Sequence, residues 1–357
     1  MTPPLRKAMV LAAGFGKRLR PLTVNRAKSA LPVLGRPIIE YVLRRLARAG
    51  VREAVVNLHH EAKMVEAALE GGPPELAIEL SVESELLGTA GGLKHASHHF
   101  EDEAAFLLVN ADTLVDFDVE NLVRTHHETG AMATLLLRSR PSGSTYSTIS
   151  VNADGRIDAV LTGSEEGELM FAGVWVLSPN VLDYLSGEPA GLEKELLPRL
   201  IEQRSAVACV QDTTWITIDT LERYWTACLT MARARFFEDD WNVSVVPNHD
   251  RARVLAGGGT RIDRRASFRG DVILGADCRV ARSARIESSI CWDGVVIPKG
   301  AKISRCIIAE AVELSPNMEL EDKLVMHVGE NSSGLRRREI HGNLVISKIR
   351  RERARGL

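Results

Sequence analysis

The sequence predicts an α/β domain on a mostly parallel sheet, followed by a short parallel β-helix. Three observations predict it. Apolar strand-like runs alternate with helical runs through the first two thirds of the chain. Near the C-terminus apolar residues recur at every sixth position. The length, 357 residues, exceeds what one ordinary core holds and fits two domains.

The elements follow in order. Lys7–Ala13 is an apolar run that ends in glycine, and it predicts a buried strand. From Pro37 to Ala49 the residues Ile38, Tyr41, Val42, Leu46 and Ala49 fall at helical spacing, and Gly50 stops the run. Ala54–Leu58 predicts a strand and Glu61–Leu69 a helix, which the Gly71-Gly72-Pro73-Pro74 break follows. Ile78, Leu80 and Val82 alternate with polar residues as in a strand. Phe106–Val109 and Ala131–Leu137 are further buried strands, and Leu221–Phe237 a helix. Strands alternating with helices imply a mostly parallel sheet covered on both faces.

After an irregular stretch around Asn242–Gly259 the pattern changes. Ile262, Phe268, Leu274, Val280 and Ile286 are spaced by six. Cys291, Ile297 and Ile303 continue the period after a slip of one residue, and Ile308, Leu314 and Leu320 after another. A hexapeptide period marks a β-helix whose turns stack on one another. The expected boundaries are a first domain at 1–240, a linker at 241–258, the β-helix at 259–322 and a basic tail at 323–357. The tail carries Arg336, Arg337, Arg338, Lys348, Arg350, Arg351, Arg353 and Arg355. Such a charge run reads as a solvated face, with an anionic partner or an oligomer contact as the alternative.

Bulk composition excludes several classes. Apolar residues are 45% and charged residues 26% of the chain, ordinary for a globular protein. The formal net charge of −2 supplies no basic field for nucleic acid. No run of eighteen apolar residues suggests a membrane span, and Met1–Lys7 opens no long apolar segment of a signal peptide. A cytoplasmic location is expected. Cys209, Cys228, Cys278, Cys291 and Cys306 form no Cys-x-x-Cys pair, so they read as small buried apolar residues rather than a zinc or disulfide framework. The pairs His59-His60, His98-His99 and His126-His127 do not chelate well, because adjacent side chains diverge, and they are expected at the surface.

The stretch from Leu11 to Thr23, Leu-Ala-Ala-Gly-Phe-Gly-Lys-Arg-Leu-Arg-Pro-Leu-Thr, carries the chemistry. It follows the first strand directly. Its loop glycines, Gly14 and Gly16, let backbone N–H groups approach phosphates, and Lys17, Arg18 and Arg20 add charge. A Walker A loop fails, because Arg18 follows Lys17 and Leu11 stands where the first glycine belongs. A dinucleotide fingerprint fails because the third glycine is Leu19.

In order along the chain, Gly14–Arg18, Pro21-Leu22-Thr23, Lys28 and Leu31-Pro32-Val33-x-Gly35-x-Pro37-Ile38 resemble the signature of the nucleotidyltransferases that make NDP-sugars, the sugar-nucleotide pyrophosphorylases. Leu87–Gly92 is similar to the family loop that holds the base, Val109–Thr113 to the strand end with the metal-binding aspartate, and Phe171–Val174 and Leu192–Glu195 to its sugar-binding segments. The resemblance covers about residues 6–236. Many members carry a C-terminal left-handed β-helix and are dimers or larger. The resemblance therefore implies a Rossmann-like mixed-sheet nucleotidyltransferase (GT-A-like) domain, then a short left-handed parallel β-helix, in a homo-oligomer. The Leu87–Gly91 loop is closest to that of mannose-1-phosphate guanylyltransferases.

The implied reaction is attack of a sugar 1-phosphate oxygen on the α-phosphate of an NTP, with pyrophosphate leaving. The nucleophile is already an anion, so no general base is needed, and cation clamps and positioning do the work. By the resemblance, Arg18, Lys28 and Asp112 are catalytic. Arg18 grips the β- and γ-phosphates, Lys28 supplies a point charge and Asp112 holds Mg²⁺. Ala12, Ala13, Gly14, Gly16, Lys17, Gly88, Thr89 and Ala90 bind the nucleotide, and Asn110, Gly173 and Glu193 the sugar. Asn57 belongs to the base pocket or its support.

The chain departs from the family pattern at four places. Lys17 replaces a threonine. Ala27 and Ser29 replace the prolines around Lys28. Leu161-Thr162-Gly163 stands where many members have Glu-Lys-Pro, a motif that the N-acetylmuramate 1-phosphate uridylyltransferases also lack. In Trp215-Ile-Thr-Ile-Asp-Thr220 the second metal-binding aspartate is Thr217, and Asp219 follows two residues on, about 7 Å along a strand. Asp219 is the candidate second ligand after a local rearrangement. These features point to GTP or UTP as the nucleotide. A weakened, NDP-sugar-binding regulatory homologue is the alternative, raised by Thr162 and Thr217. An acyltransferase β-helix is not supported, because no histidine lies between Arg251 and Met326 to act as base.

Overall fold

The computed structural model describes residues 5–141, 144, 146–161, 167–233, 241–247, 252–329 and 335–350. Among these, one unit comprises 5–15 and 42–216, and a second comprises 16–41 and 217–350. No helix among the described residues is long and apolar enough to cross a membrane.

The first unit is built on a seven-stranded sheet. Its strands are β1 (Lys7–Leu11), β2 (Glu53–Leu58), β3 (Ala77–Val82), β4 (Phe106–Asn110), β5 (Ala133–Ser139), β6 (Leu169–Leu177) and β7 (Ala206–Val210). Their order is β7-β5-β6-β4-β1-β2-β3. β1 pairs parallel with β2 and β4, β2 with β3, and β5 with β7. β6 runs antiparallel to both β4 and β5. The sheet is mixed, as the family resemblance implied. Alternation of elements alone misses this, since it carries no sign for the direction of β6.

Ala8, Met9 and Val10 of central β1 are fully buried, which explains its unbroken apolar run. On edge strand β3 the alternation locates the strand but not its inner face. Ser81 is buried, while Leu80 and Val82 are 42% and 55% exposed. The helix Val119–Thr129 starts at Asp118, whose carboxylate accepts from the Asn121 N–H at 2.9 Å, and stops at Gly130 with φ +59°. His126 on it corrects the expected surface placement: it is buried, bonded through its ring nitrogens to the Thr134 and Ser178 hydroxyls at 3.0 Å each. Its apolar-facing position on an amphipathic helix outweighs its polarity, because both nitrogens find partners. His127 is exposed.

The second unit contains a parallel β-helix with three faces. One face is Arg261–Ile262, Arg279–Val280 and Val296–Ile297. The next joins Ser267–Leu274, Arg285–Glu287, Lys302–Ser304 and Glu319–Glu321. The third runs through Ala252–Ala256, the end of Ser267–Leu274, Ile290–Cys291, Ile307–Ile308 and Lys323–His327. Ile262 lies opposite Val280, eighteen residues on, while Val280 lies opposite Ile297, seventeen on. The one-residue slips in the sequence are thus a corner shortened by one residue, between Ile286 and Cys291 and again between Ile303 and Ile308. Leu274, Val280, Ile286, Cys291, Ile297, Ile303, Ile308, Leu314 and Leu320 are all buried in one core.

Two stretches differ from expectation. Within Asn242–Gly259, Ser244–Val246 and Ala252–Ala256 are antiparallel strands, and the latter also pairs parallel with the first long strand of the β-helix. These segments are short and lie beside residues of mixed polarity, so no period marks them. In the basic tail, Lys323–His327 completes the third face and Leu344–Lys348 pairs against it. The helix predicted to Phe237 runs over Leu221–Arg233, here α1, and residues 234–237 lie outside the described residues.

Candidate active site

In the first unit the base-loop candidates sit at the start of the helix Gly88–His95. Gly88 has φ +71°, and a Cβ there would lie 2.4 Å from the Ala190 carbonyl oxygen. Only glycine fits both conditions. The Ala90 N–H donates to Ala190 O at 2.9 Å, and the Leu192 N–H donates to the Thr89 hydroxyl at 2.8 Å. The loop expected to hold a base is therefore stitched to the segment that carries Glu193.

A buried polar chain supports the same loop. The Ala12 N–H donates to Asn57 Oδ1 at 2.7 Å, Asn57 Nδ2 donates to Glu83 Oε1 at 2.7 Å, and the Leu87 N–H donates to Glu83 Oε2 at 3.0 Å. Asn57 and Glu83 are 2% and 3% exposed. A Cβ at Gly92 would lie 2.6 Å from Glu83 Oε1, which accounts for glycine there. Asn57 thus has the supporting role. Glu83 was not legible as a site residue: it follows the end of β3 as one of two nearby acids, and only its burial sets it apart from exposed Glu85.

Asp112 follows β4, at the carboxyl end of a parallel pair, where open α/β sheets place ligands. It is half-buried, and the Thr113 hydroxyl donates to its Oδ1 at 3.0 Å. Gly173, with φ +93°, brings the backbone of β6 against Asn110 and Thr113; a Cβ there would lie 3.4 Å from Asn110 Nδ2. A cavity of about 370 Å³ is lined by Thr89, Asn110 and Glu193 on its polar side and by Tyr146, Ile149, Phe171 and Trp175 among its apolar residues. Candidate base-loop and sugar residues thus share one cavity. Gly173 does not line it.

The remaining candidates, Gly16, Lys17, Arg18, Lys28 and Asp219, belong to the second unit. Gly16 is left-handed at φ +59°, and a Cβ on it would lie 3.0 Å from Thr23 Cγ2 and 3.1 Å from Lys28 Cβ. The Thr23 hydroxyl donates to Gly16 O at 2.8 Å, which closes the loop on itself. Lys17–Leu19 forms a short 3₁₀ turn, and Lys28–Ala30 another. The prolines missing around Lys28 are thereby replaced by a hydrogen-bonded turn and burial of Ser29. The Tyr224 hydroxyl of α1 donates to Pro32 O and accepts from Trp292 Nε1 at 2.9 Å, so aromatic contacts fix the rest of the signature.

Asp219, 5% exposed, lies between two guanidiniums: Arg18 at 3.1 Å and Arg223 at 2.8 Å, both on Oδ2. Oδ1 is buried without a hydrogen-bond partner among the described residues. Arg223 was missed from the sequence, although its spacing of four from Asp219 is a legible signal. Thr217 ends the strand Trp215–Thr217. Thr162 lies outside the described residues.

Other clusters do not compete. Glu53, Glu79 and His99 come within ligand distance of one another, but Lys7 pairs with Glu53 at 3.4 Å and takes the place of a cation. All five cysteines are buried and free, and burial pushes Cys228 up to about 12 and Cys278 and Cys306 up to about 11.

Comparison with known proteins gives a consistent result. The nucleotidyl transferase family model matches residues 7–234, and the model of GlmU-like C-terminal hexapeptides matches 257–326. The chain is 29% identical over 345 residues to a UTP–glucose-1-phosphate uridylyltransferase of Synechocystis sp., covering 89% of this chain and 87% of that protein. It is 27% identical over 335 residues to the probable mannose-1-phosphate guanylyltransferase 3 of Oryza sativa subsp. japonica, covering 91% and 92%. HddC from Yersinia pseudotuberculosis, solved with GMP-PN, shares the fold at a TM-score of 0.56 and 19% identity, over 63% of this chain and 99% of that one.

Proposed function

The chain belongs to the nucleotidyl transferase family, and on that premise we propose that it condenses an NTP, GTP or UTP, with a sugar 1-phosphate to give an NDP-sugar and pyrophosphate. The observation that carries the proposal is the cavity shared by Thr89, Asn110 and Glu193, next to the braced Gly88–Gly92 loop. Relatives named for UTP and for mannose-1-phosphate guanylyl transfer support these two nucleotides.

In this reading the base rests on Gly88–Ala90 and the backbone at Ala12, Ala13 and Gly14. The sugar enters the cavity at Asn110 and Glu193, and Gly173, behind Asn110, supports that side without lining it. Its volume suits a hexose-sized group with room for substituents. Arg18 and Lys28 bind phosphate oxygens, with Lys17 and Gly16 N–H groups beside them. The sugar phosphate is the nucleophile and needs no base, consistent with a candidate set rich in glycine and cations.

Asp112 of the first unit would hold Mg²⁺, and Asp219 of the second unit is the candidate second carboxylate: its Oδ1 is a buried oxygen without a hydrogen-bond partner among the described residues. Bound there, Mg²⁺ would neutralise charge on the phosphates. Asp219 Oδ2 meanwhile orients Arg18. A homo-oligomer and a cytoplasmic location complete the proposal.

Pyrophosphate release with Mg²⁺, five NTPs and a panel of sugar 1-phosphates tests the reading. Release with one nucleotide–sugar pair supports it. No release with any pair rejects it.

A further inference from the structure

The second unit has a feature that reaches beyond the residues of the proposed reaction, and the inference from it rests in part on that reading. A cleft of about 870 Å³ lies between the signature loop and the end of the chain's C-terminal hairpin. Eight of its lining residues are cations, among them Lys17, Arg18 and Arg20 from the loop and Arg336, Arg338 and Lys348 from the hairpin region. Two acids line it, and both are engaged. Glu222 accepts from Arg305 at 3.0 and 3.1 Å, and Glu339 accepts from the Ser347 hydroxyl at 2.8 Å. Arg20, Arg336, Arg338 and Lys348 are exposed, and no ion pair joins them to a carboxylate among the described residues.

Gathering like charges around one concavity costs repulsion unless an anion fills it. The whole chain is slightly acidic, with a net charge of −2, so this concentration is local and not a general surface property. The arrangement is also built by fold. Leu344–Lys348 is held as a strand against Lys323–His327, with Val325 opposite Ile346, and this fixes Lys348. Arg337–Glu339 forms a 3₁₀ turn that places Arg338 on the same cleft.

We infer that this cleft binds a polyphosphate anion, clamped between Arg20 of the signature loop and Arg336, Arg338 and Lys348. Guanidiniums on two walls suit several phosphate groups at once better than a single carboxylate. The anion is either the polyphosphate of the proposed NTP substrate or a separate phosphorylated effector. Arg18 lines the cleft, so occupancy reaches the proposed catalytic cation in both cases.

The test is calorimetric titration of the full chain with inorganic tripolyphosphate, which needs no turnover, so its failure is distinguishable from failure of the pyrophosphorylase reading. The triple variant R336A/R338A/K348A removes three cleft cations. The variant R261A/R279A/R285A removes three exposed cations of the β-helix that do not line the cleft. Thermal unfolding first confirms that both are folded, and the single variant R338A serves if the triple variant is not. Tripolyphosphate affinity falls about tenfold or more in the cleft variant, and less than about twofold in the control, with a steep salt dependence in the wild type. Equal losses in the two variants, or none, overturn the inference. With a supporting result, NTP KM identifies the source: a parallel rise in the cleft variant means substrate phosphates, and an unchanged KM means a separate effector.

Discussion

The Arg18 guanidinium pairs with the Asp219 carboxylate at 3.1 Å, and the oxygen it uses also accepts from Arg223 at 2.8 Å. Arg18 is 69% exposed, so the pair adds little to stability. Its effect is to aim an otherwise mobile cation. Asp219→Asn keeps the shape and removes the charge. It raises the KM for NTP about tenfold, the worth of one well-oriented charged contact. If Oδ1 also holds Mg²⁺, the half-saturating Mg²⁺ concentration rises with it. Steady-state kinetics across a Mg²⁺ series reads both, and an unchanged KM contradicts the positioning role.

Gly92→Ala tests the buried brace. The added methyl would meet Glu83 Oε1 at 2.6 Å and Asn57 Nδ2 at 2.9 Å, so the Asn57–Glu83 bond must open. Overpacking of this kind costs about 1–3 kcal/mol. Denaturant unfolding shows the loss, and nucleotide binding weakens with it because Leu87 and Ala12 hang on the same two side chains. A variant as stable as wild type would mean that the brace yields freely.

Asn110→Ala separates the two substrates. Asn110 lines the cavity together with Glu193. The KM for sugar 1-phosphate rises about tenfold, as one lost hydrogen bond to a bound ligand predicts, and that for NTP changes little. Equal increases in both would place Asn110 elsewhere in the reaction.

His126 gives a pH signature unrelated to catalysis. Burial, with a smaller contribution from His127, pushes it down to about 4. An unfolded histidine titrates near 6.5. Between about pH 6.5 and 4 the unfolded chain binds the extra proton and the folded one does not, so stability falls as pH drops through that window. Over the full window the fall is about 3 kcal/mol. Unfolding free energies at pH 7 and pH 5 measure it, and His126→Gln removes its share of the slope. Identical slopes in the two proteins would contradict the assignment.

Much of this was legible in the sequence because it rests on local chemistry. The six-residue period is a direct record of core positions, and Leu274 to Leu320 fill that core. The glycines at 16 and 88 mark backbone geometry that no other residue adopts easily. What stayed hidden depends on long-range pairing. The reversed direction of β6, the inward face of β3 and the burial of His126 are set by neighbours far along the chain. Glu83 is a plain acid until Asn57 and Leu87 N–H converge on it. Arg223 was readable from its spacing to Asp219, but only once Asp219 was known to be buried.

The central claim is that Asp112, at the end of β4, sits at the chemistry. Asp112→Asn keeps its size and its contact with the Thr113 hydroxyl while removing the charge. The decisive measurement is Mg²⁺-dependent pyrophosphate release by this variant and the wild type, alongside NTP binding by thermal shift. The account predicts that release falls at least about a hundredfold, as for loss of a transition-state charge stabiliser, while the variant stays folded. Release within about twofold of wild type would contradict it.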